Sequence, residues 1–515
     1  GIYNKSTGNI NVVIKNLYVT SSTYSGAIEQ NTYGIYNNST GKISLSNSSI
    51  RTSGYGIYNN SGELSLKSTT ISHTNSKGYK TDNTYKYYGI YDNSGVLDLD
   101  STTITTPSST ENPNGYAIYM VDTVDLKFVN SEISNYSYGI YNTNSSSSLT
   151  IESGTINSTN SAVYNEGGTV TIGSENTTPN ITGSKYAINN PKGILTINNG
   201  SISSSEVAIN SNESYYATSS SIYINGGTIT GNTAININGS SLDVNSGTIV
   251  GKAYGINNEY YKNTMNINES NISAEGDKGI GVLTKSPTVI TNSKIIVSGA
   301  QSYALEASKD LSLSNVNIEA TGISGYGLVV NSGTLNFESS SISAISSGST
   351  GLSVKNGTAN LISGSIKADA YGVINSGTVI LGEKDGVVTK QQPSIASNNY
   401  GIVSSNSIKF YDGIITGSKE NAFDAIVSDS EENYDLYITP NSENSSKVDV
   451  TLEIPTKEKF GEVAEVDGVT YPSVKSAFDS ITSDENKIIK LLKSTKTILN
   501  LGESSKNISL NTNGN

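Results

Sequence analysis

The sequence contains no Cys and no Trp, and only one His and one Arg among its 515 residues. The lack of Cys excludes a thiol nucleophile, a disulfide framework and a Cys-ligated metal. His73 is the only imidazole and Arg51 the only guanidinium, so a His-rich zinc site, a Ser-His-Asp arrangement and bidentate anion recognition have almost no residues to draw on. We therefore expect neither a metal site nor a cofactor.

The charge balance and the hydropathy restrict the partners. The formal net charge is −13 and the isoelectric point is about 4.7, and the sequence has no basic patch, so nucleic acid is not an expected partner. No apolar run is long enough to span a bilayer, so we expect no membrane insertion in this segment. Gly1 lies inside a recurring motif, from which we expect a segment of a longer protein.

Polar residues dominate the composition, with 34% hydrophobic residues and 15% charged residues. Such values are typical of disordered tracts. However, 33 Tyr beside 6 Phe do not fit a solvated linker. The arrangement of the residues therefore has to decide between disorder and a regular fold.

An internal repeat decides the fold. A tripeptide of Gly or Ala, an aliphatic residue and commonly Tyr or Asn recurs 18 times, with a mean interval of about 25 residues. The repeats begin at Gly1, Gly34, Gly56, Gly89, Ala117, Gly139, Ala162, Ala187, Ala208, Ala234, Gly255, Gly279, Ala304, Gly327, Gly351, Gly372, Gly401 and Ala425.

Two more apolar patterns lie inside each interval. One alternates after a turn, as in Leu64 and Leu66, and the other is a single aliphatic residue after a polar triplet, as in Ile71. Period-two alternation between Asn, Ser and Gly turns predicts three short strands per coil. The predicted fold class is all-β: a parallel β-solenoid of about 18 coils, in which neighbouring coils share a thin core.

Asn recurs near the end of the anchor strand, with Asp92 in its place once. Stacked Asn side chains at one corner would hydrogen-bond along the solenoid axis, so we predict a structural ladder rather than a ligand site. Its predicted members are Asn4, Asn37, Asn59, Asn142, Asn165, Asn190 and Asn258.

The run Tyr-Gly-Ile-Tyr-Asn-Asn-Ser-Gly-x-Leu-x-Leu at residues 55–66 resembles the repeats of right-handed, single-stranded, pectin-lyase-like parallel β-helices. It is most similar to those of large bacterial cell-surface, adhesin-like proteins. The resemblance covers about residues 1–430. It is specific for the fold but not for the function, since the same coil occurs in lyases, tailspikes and adhesins. It implies an extracellular location at a bacterial cell surface.

The repeat stops near residue 430. Residues 431–462 form an acidic end region with two strand-like runs, Tyr434 to Thr439 and Lys447 to Ile454. In residues 463–515 a turn precedes a helix from about Ser473, and strands follow at 488–492 and 508–510. This small α/β module is similar to the modules that open bacterial surface β-helices, and its alternative role is a cap on the first solenoid.

A polysaccharide lyase or hydrolase is the enzymatic alternative on this fold. Such enzymes need clustered carboxylates with basic partners. Asp98 and Asp100 alternate on one strand without a second acidic pair, while His73 and Arg51 lie about one coil apart. We expect no catalytic residue.

Long loops at the corners of the coils are better candidates for function than a catalytic site, since loops on rigid scaffolds commonly bind ligands. Four loops precede an anchor, at about 20–32, 73–88, 106–115 and 382–399, and three of them could form one ridge. The loop at 73–88 combines Tyr with Lys, a chemistry suited to sugar or protein surfaces. Its predicted contact residues are His73, Lys77, Tyr79, Lys80, Tyr85, Lys86, Tyr87 and Tyr88.

Tyr two residues into the anchor, as at Tyr36, Tyr58, Tyr91, Tyr119 and Tyr141, is instead expected to pack into outward ladders. The sequence as a whole predicts a rigid, non-enzymatic stalk whose corner loops contact a glycan or protein on a host or neighbouring cell. A surface layer or filament built by self-association is the third alternative.

Overall fold

The computed structural model describes residues 1–515 except 6–7, 14, 20–31, 74–78, 82–83, 108–114, 213–219, 483–485, 497–507 and 513–515. For residues 12, 79–81 and 84–86 it describes the backbone alone. The fold is an all-β parallel β-solenoid of about 19 turns with almost no helix, so the predicted fold class is confirmed. The chain divides into two compact units, Gly1–Pro287 and Thr288–Asn515.

Each coil contributes three strands, here called anchor, middle and closing strands in chain order. In one coil they are Tyr33–Asn37, Lys42–Ser46 and Ser49–Thr52. Each strand pairs in parallel with its equivalent one coil further on. The three strand types therefore form three ladders along the solenoid.

The first unit contains most of the strands. Its anchor strands are Ile2–Asn4, Tyr33–Asn37, Tyr55–Asn59, Thr84–Asp92, Gly115–Met120, Tyr186–Asn189, Val207–Asn212 and Ile280–Thr284. Its middle strands are Ile10–Val12, Lys42–Ser46, Glu63–Lys67, Gly95–Asp100, Val124–Val129, Ser148–Ile151, Thr169–Ile172, Ile194–Ile197, Ser221–Ile224, Ser241–Val244 and Met265–Asn268. Its closing strands are Leu17–Val19, Ser49–Thr52, Thr70–His73, Thr103–Thr105, Asn180–Gly183, Ser201–Ser204 and Ser270–Ala274. Four long strands run from a closing into an anchor position: Ser131–Asn142, Gly154–Asn165, Thr228–Asn238 and Gly247–Asn258.

The second unit repeats the same order. Its anchor strands are Tyr303–Ala307, Tyr326–Val330, Thr350–Val354, Tyr371–Asn375, Tyr400–Ser404 and Phe423–Asp424. Its middle strands are Thr288–Thr291, Leu311–Ser314, Thr334–Glu338, Thr358–Leu361, Thr378–Leu381, Ile408–Phe410 and Val427–Ser430. Its closing strands are Lys294–Val297, Asn317–Ala320, Ser340–Ala344, Gly364–Ala368, Ser394–Ser397 and Ile414–Ser418.

The core of each coil is a thin layer of aliphatic side chains. Leu64, Leu66 and Ile71 point inward from one coil and are at most 1% exposed. Burying such a side chain contributes about 1.5–3 kcal/mol. The alternating polar residues face solvent, so few apolar residues per coil are sufficient.

Two of the predicted anchors are displaced in the structure. Ile256 pairs with Val282 rather than with Ile280, and Ile402 pairs with Phe423. The anchor positions are therefore Gly281 and Ala422 instead of Gly279 and Ala425. Both errors arise because a second Gly or Ala with an aliphatic neighbour lies two or three residues away.

The acidic end region forms an antiparallel hairpin of Asp435–Pro440 and Lys447–Glu453. Its second strand pairs antiparallel with the closing strand Ile414–Ser418. Both predicted strand-like runs are thus confirmed. The hairpin occupies the edge of the last closing strand, which an extra parallel coil would otherwise occupy.

The C-terminal module contains α1, Lys457–Phe460, and α2, Val474–Asp479, beside the strands Ala464–Val466, Val469–Tyr471, Lys487–Leu491 and Ile508–Asn511. Ala477, Phe478 and Ile481 are buried against these strands. The helix predicted from Ser473 and both following strands are present, and Ser473 caps α2. The Val427 N–H donates to the carbonyl of Lys496 over 3.1 Å, so the module contacts the last coil.

Candidate binding surface

Tyrosines project outward from the anchor strands of the first unit in two adjacent columns. In the repeat Tyr-Gly-Ile-Tyr-Asn, the Ile and the Asn point inward while both Tyr point outward. We call the two columns together the tyrosine face. One column is Tyr3, Tyr36, Tyr58, Tyr91, Tyr119, Tyr141 and Tyr164, and the other is Tyr33, Tyr55, Tyr88, Tyr116 and Tyr138.

Ring stacking orders the tyrosine face. In the first column successive ring centroids are between 4.3 Å and 5.4 Å apart and the rings are close to parallel. The second column is stacked in the same way, as between Tyr55 and Tyr88 at 4.9 Å. Rings of different columns meet edge to face, as between Tyr88 and Tyr91 at 90°. This confirms the predicted outward ladders, and each stacked pair adds about 0.5–1.5 kcal/mol.

The stacking determines what the tyrosine face can offer a partner. Neighbouring rings cover each other's faces along the axis, so ring edges and hydroxyl groups remain for contact. Burial is the largest cause that raises the pKa of Tyr58 and Tyr91, and it raises the pKa of Tyr116 to about 12. These phenols therefore stay protonated near neutral pH and can donate hydrogen bonds.

An outward asparagine ladder continues the first tyrosine column. Tyr164 pairs with Asn189, and Asn210, Asn236 and Asn257 follow at the same position. Each Nδ2 donates 2.9 Å to the Oδ1 of the preceding Asn. This ladder was not predicted, although the Asn at the third position of the repeat indicates it.

The predicted inward asparagine ladder is present in two stretches. Asn4, Asn37 and Asn59 each donate from Nδ2 to the next Oδ1, over 2.7 Å, 2.6 Å and 2.9 Å, and the last acceptor is Asp92. The buried side chain of Met120 follows and interrupts the series.

Beyond Met120 the ladder resumes. Asn142 donates to Asn165 over 2.8 Å, and Asn165 donates to Asn190 over 2.7 Å. Asn258 is different, because its Nδ2 donates to Ser286 Oγ over 2.6 Å rather than to an Asn. All these Asn side chains are buried, as a structural role requires.

The prediction that His73 contacts a ligand is wrong, because His73 is 2% exposed and points into the core. Its Nε2–H donates to the Gly54 carbonyl over 2.7 Å, and its Nδ1 accepts from the Tyr136 hydroxyl over 2.8 Å. Burial lowers the pKa of His73 to about 4, and backbone hydrogen bonds offset this only in part. The imidazole is therefore neutral, with both ring nitrogens engaged.

The prediction that Tyr87 and Tyr88 are ligand contacts of the loop is also wrong, because both are packed against other residues. Tyr87 is 3% exposed and lies against His73, with ring centroids 5.0 Å apart. Tyr88 is 7% exposed and is stacked between Tyr55 and Tyr116. The loop therefore ends before Tyr87, from which the strand Thr84–Asp92 pairs with the next coil.

The other contacts predicted for the 73–88 loop are only partly described. Lys77 lies outside the described residues. The backbones of Tyr79 and Lys80 pair antiparallel with those of Lys86 and Tyr85, which makes a short hairpin. The side chains of these four residues lie outside the described part of the chain, so their role in binding stays a prediction.

The candidate catalytic groups are separated. Thr52 pairs with His73 and Arg51 with Ser72, so Arg51 and His73 point to opposite faces of the sheet. The guanidinium of Arg51 lies over the Tyr18 ring, 5.6 Å from its centroid. Although His73 and Arg51 lie about one coil apart in the sequence, strand alternation separates their side chains, and they are not neighbours on the surface.

The second unit contains a cleft of about 630 Å³ between its last coil and the C-terminal module. Two of its carboxylates are engaged by protein side chains. Asp429 accepts from the Tyr411 hydroxyl over 2.7 Å, and Asp479 forms an ion pair with Lys475. Among the described residues, no group of three or more His, Asp or Glu is placed to hold a metal ion.

The surface is thus that of a β-solenoid with one regular, uncharged tyrosine face. Comparisons of the chain with protein-family models, with curated proteins and with solved structures find no match. Within the described ranges, no helix is long and apolar enough to cross a membrane.

Proposed function

We propose that the chain is a segment of an extracellular bacterial surface protein that serves as a rigid stalk and presents an adhesive face. The tyrosine face is the observation on which this proposal rests. Stacked coils hold the twelve tyrosines at a regular spacing, and all of them except the buried Tyr88 are at least partly exposed. Tyr offers a large, amphipathic contact at low cost in side-chain entropy.

The exposed chemistry of the tyrosine face favours a protein partner on a neighbouring cell. A sugar ring stacks best on the face of an aromatic ring, but stacked neighbours such as Tyr58 and Tyr91 cover each other's faces. Hydroxyl groups and ring edges suit a polar protein surface, where Tyr is common at interfaces. Glycan binding is the alternative outcome of the experiment below.

The loops of the predicted ridge directly precede, along the sequence, strands that carry residues of the tyrosine face. The loops near 20–32, 73–88 and 106–115 each lead directly into an anchor strand that carries face tyrosines. A ligand that contacts the tyrosine face is therefore near the points where these loops return to the solenoid. The loops and the tyrosine face are thus proposed to contact the same partner.

A direct experiment displays the full chain on beads and measures their retention on cell layers, on protease-treated cell layers and on a glycan array. We expect retention on cells that protease treatment abolishes. Retention that survives protease and is reproduced on the array assigns the partner to glycans. A folded chain that is retained on none of these surfaces contradicts the adhesive proposal.

Lateral self-association is a second candidate function, and the uncharged tyrosine face favours it as well. In this case the tyrosine face contacts another copy of the chain in a layer or filament. Sedimentation at increasing concentration and electron microscopy distinguish the two: a monomer without fibres favours adhesion, whereas fibres favour assembly. The lyase or hydrolase alternative gains no support from His73, because both of its ring nitrogens are used within the core.

A further inference from the structure

Asp92 occupies an asparagine position at the end of the first inward ladder. Its side chain is fully buried, and its Oδ1 accepts from Asn59 Nδ2 over 2.9 Å. No donor among the described residues lies within hydrogen-bond distance of its Oδ2. On the far side the next coil contributes Met120, which cannot donate a hydrogen bond.

The second ladder shows which atom the unpaired Oδ2 of Asp92 replaces. The Nδ2 of Asn142 donates to the carbonyls of Asn144 and Gly167 as well as to Asn165. The corresponding atom of Asp92 is Oδ2, so the equivalent position in the second ladder is occupied by a donor. A carboxylic acid has an O–H donor there, whereas a carboxylate has none.

The neighbours of Asp92 supply no compensating charge. The ionisable residues on the two flanking anchor strands are Tyr55, Tyr58, Tyr116 and Tyr119, and they point outward, as does Tyr91 beside Asp92 on its own strand. The nearby Asp122 is exposed in the next turn. Among the described side chains, no Lys or Arg lies on these strands next to Asp92. The side chain of Lys86 is not described, but Lys86 is six residues away from Asp92 on the same strand.

We propose that Asp92 is a proton-binding joint of the solenoid, whose carboxyl group holds a proton while the coils stay closed. Release of that proton to solvent leaves a buried carboxylate with an unpaired oxygen. Burying such a charge without a partner is costly. The pairing between the coils that carry Asp92 and Met120 then opens more readily, without unfolding of the whole chain.

The raised pKa of Asp92 determines how closure of the coils depends on pH. Burial is the largest cause that raises the pKa of Asp92 to about 7, and hydrogen bonds from Asn59 and the Ser94 backbone offset it only in part. The unfolded value is about 3.9. Between these values the closed state binds one more proton than the open state, so closure weakens as the pH rises. The effect is complete above about pH 7 and absent below about pH 4.

Amide hydrogen exchange measures the joint directly. The Val121 N–H donates to the Asp92 carbonyl and the Asp122 N–H to the Asn93 carbonyl, so both amides report on this step. The experiment compares the opening constants of the full wild-type chain with those of Asp92→Asn. We expect their ratio to grow by about tenfold per pH unit between about pH 4 and pH 7. A ratio that does not change with pH overturns the proposal.

Two further measurements keep the test decisive. The exposed Asp122→Asn is the matched control and should retain the wild-type pH profile. If Asp92→Asn does not fold, the carboxyl carbon of Asp92 is titrated by NMR in the wild-type chain. A midpoint near 7 supports the proposal, and a midpoint near 4 contradicts it.

Discussion

The Tyr136 hydroxyl donates a 2.8 Å hydrogen bond to Nδ1 of His73, although 63 residues separate them in the chain. His73 and Tyr136 lie on closing strands two coils apart, so the bond reaches across the intervening coil. Tyr87 packs against both rings. The only histidine of the chain is therefore a structural residue, buried between the rings of Tyr87 and Tyr136.

Removing the Tyr136 hydroxyl should destabilise the first unit. Tyr136→Phe leaves Nδ1 of the buried His73 without its donor, which costs about 1–3 kcal/mol. Urea unfolding of the full chain measures this loss. Tyr58→Phe, whose hydroxyl points outward, is the matched control and should change the free energy of unfolding by less than about 0.5 kcal/mol. Equal losses in the two variants would show that the buried bond contributes nothing specific.

His73 should destabilise the protein at acidic pH. Its folded pKa of about 4 lies below the unfolded value of about 6.5, so the unfolded state binds the extra proton between these values. The contribution of His73 to the free energy of unfolding is therefore complete above about pH 6.5 and decreases by about 3 kcal/mol as the pH drops to about 4. His73→Gln removes this term. The contribution of Asp92 to stability has the opposite pH dependence, so the stability of the wild-type chain stays flat over this pH range. In Asp92→Asn only the contribution of His73 remains, and the stability falls on acidification.

Gly115 should be intolerant of a side chain because of Tyr87. A Cβ at Gly115 would lie 2.3 Å from the Tyr87 ring, much closer than van der Waals contact. Gly115→Ala should cost about 2 kcal/mol or more. In the Tyr87→Ala background the same substitution should cost much less, which a double-mutant cycle of unfolding free energies detects. Additive losses would refute the assigned clash.

Joining the two inward ladders should produce a favourable coupling. Met120→Asn alone replaces a buried apolar side chain and should destabilise the chain. Combined with Asp92→Asn, it completes a series of amide donors from Asn4 to Asn190. We expect a coupling energy of about 0.5–1.5 kcal/mol in favour of the double variant. Thermal unfolding of the four chains of the cycle measures it, and a coupling of zero means that no ladder forms there.

The repeat made the coil architecture predictable because stacking forces equivalent residues into equivalent environments. Inward Asn, outward Tyr and the strands of the C-terminal module follow from strand alternation. The outward ladder from Asn189 to Asn257 could also have been found, since these residues occupy the outward Tyr position. Only the Asn at the inward corner was predicted to form a ladder.

The environment of His73 was less accessible to sequence reasoning. His73 is two residues after the inward Ile71, so its alternation did indicate the core, but the adjoining loop suggested otherwise. The inward turn of Tyr136 has no simple signal, because an irregularity follows Ile133 and Asn135 adopts a positive φ of 65°. Such a local shift of register changes which side chains face the core.

The adhesive role of the tyrosine face is tested most directly by bead retention of one triple variant. Tyr58→Ser, Tyr91→Ser and Tyr119→Ser together remove the centre of the first column, while Tyr303→Ser with Tyr326→Ser removes a stacked pair at 5.0 Å in the second unit as a control. With circular dichroism unchanged in both, we predict about tenfold lower retention on cells for the triple variant alone. Wild-type retention by the triple variant would contradict the proposal.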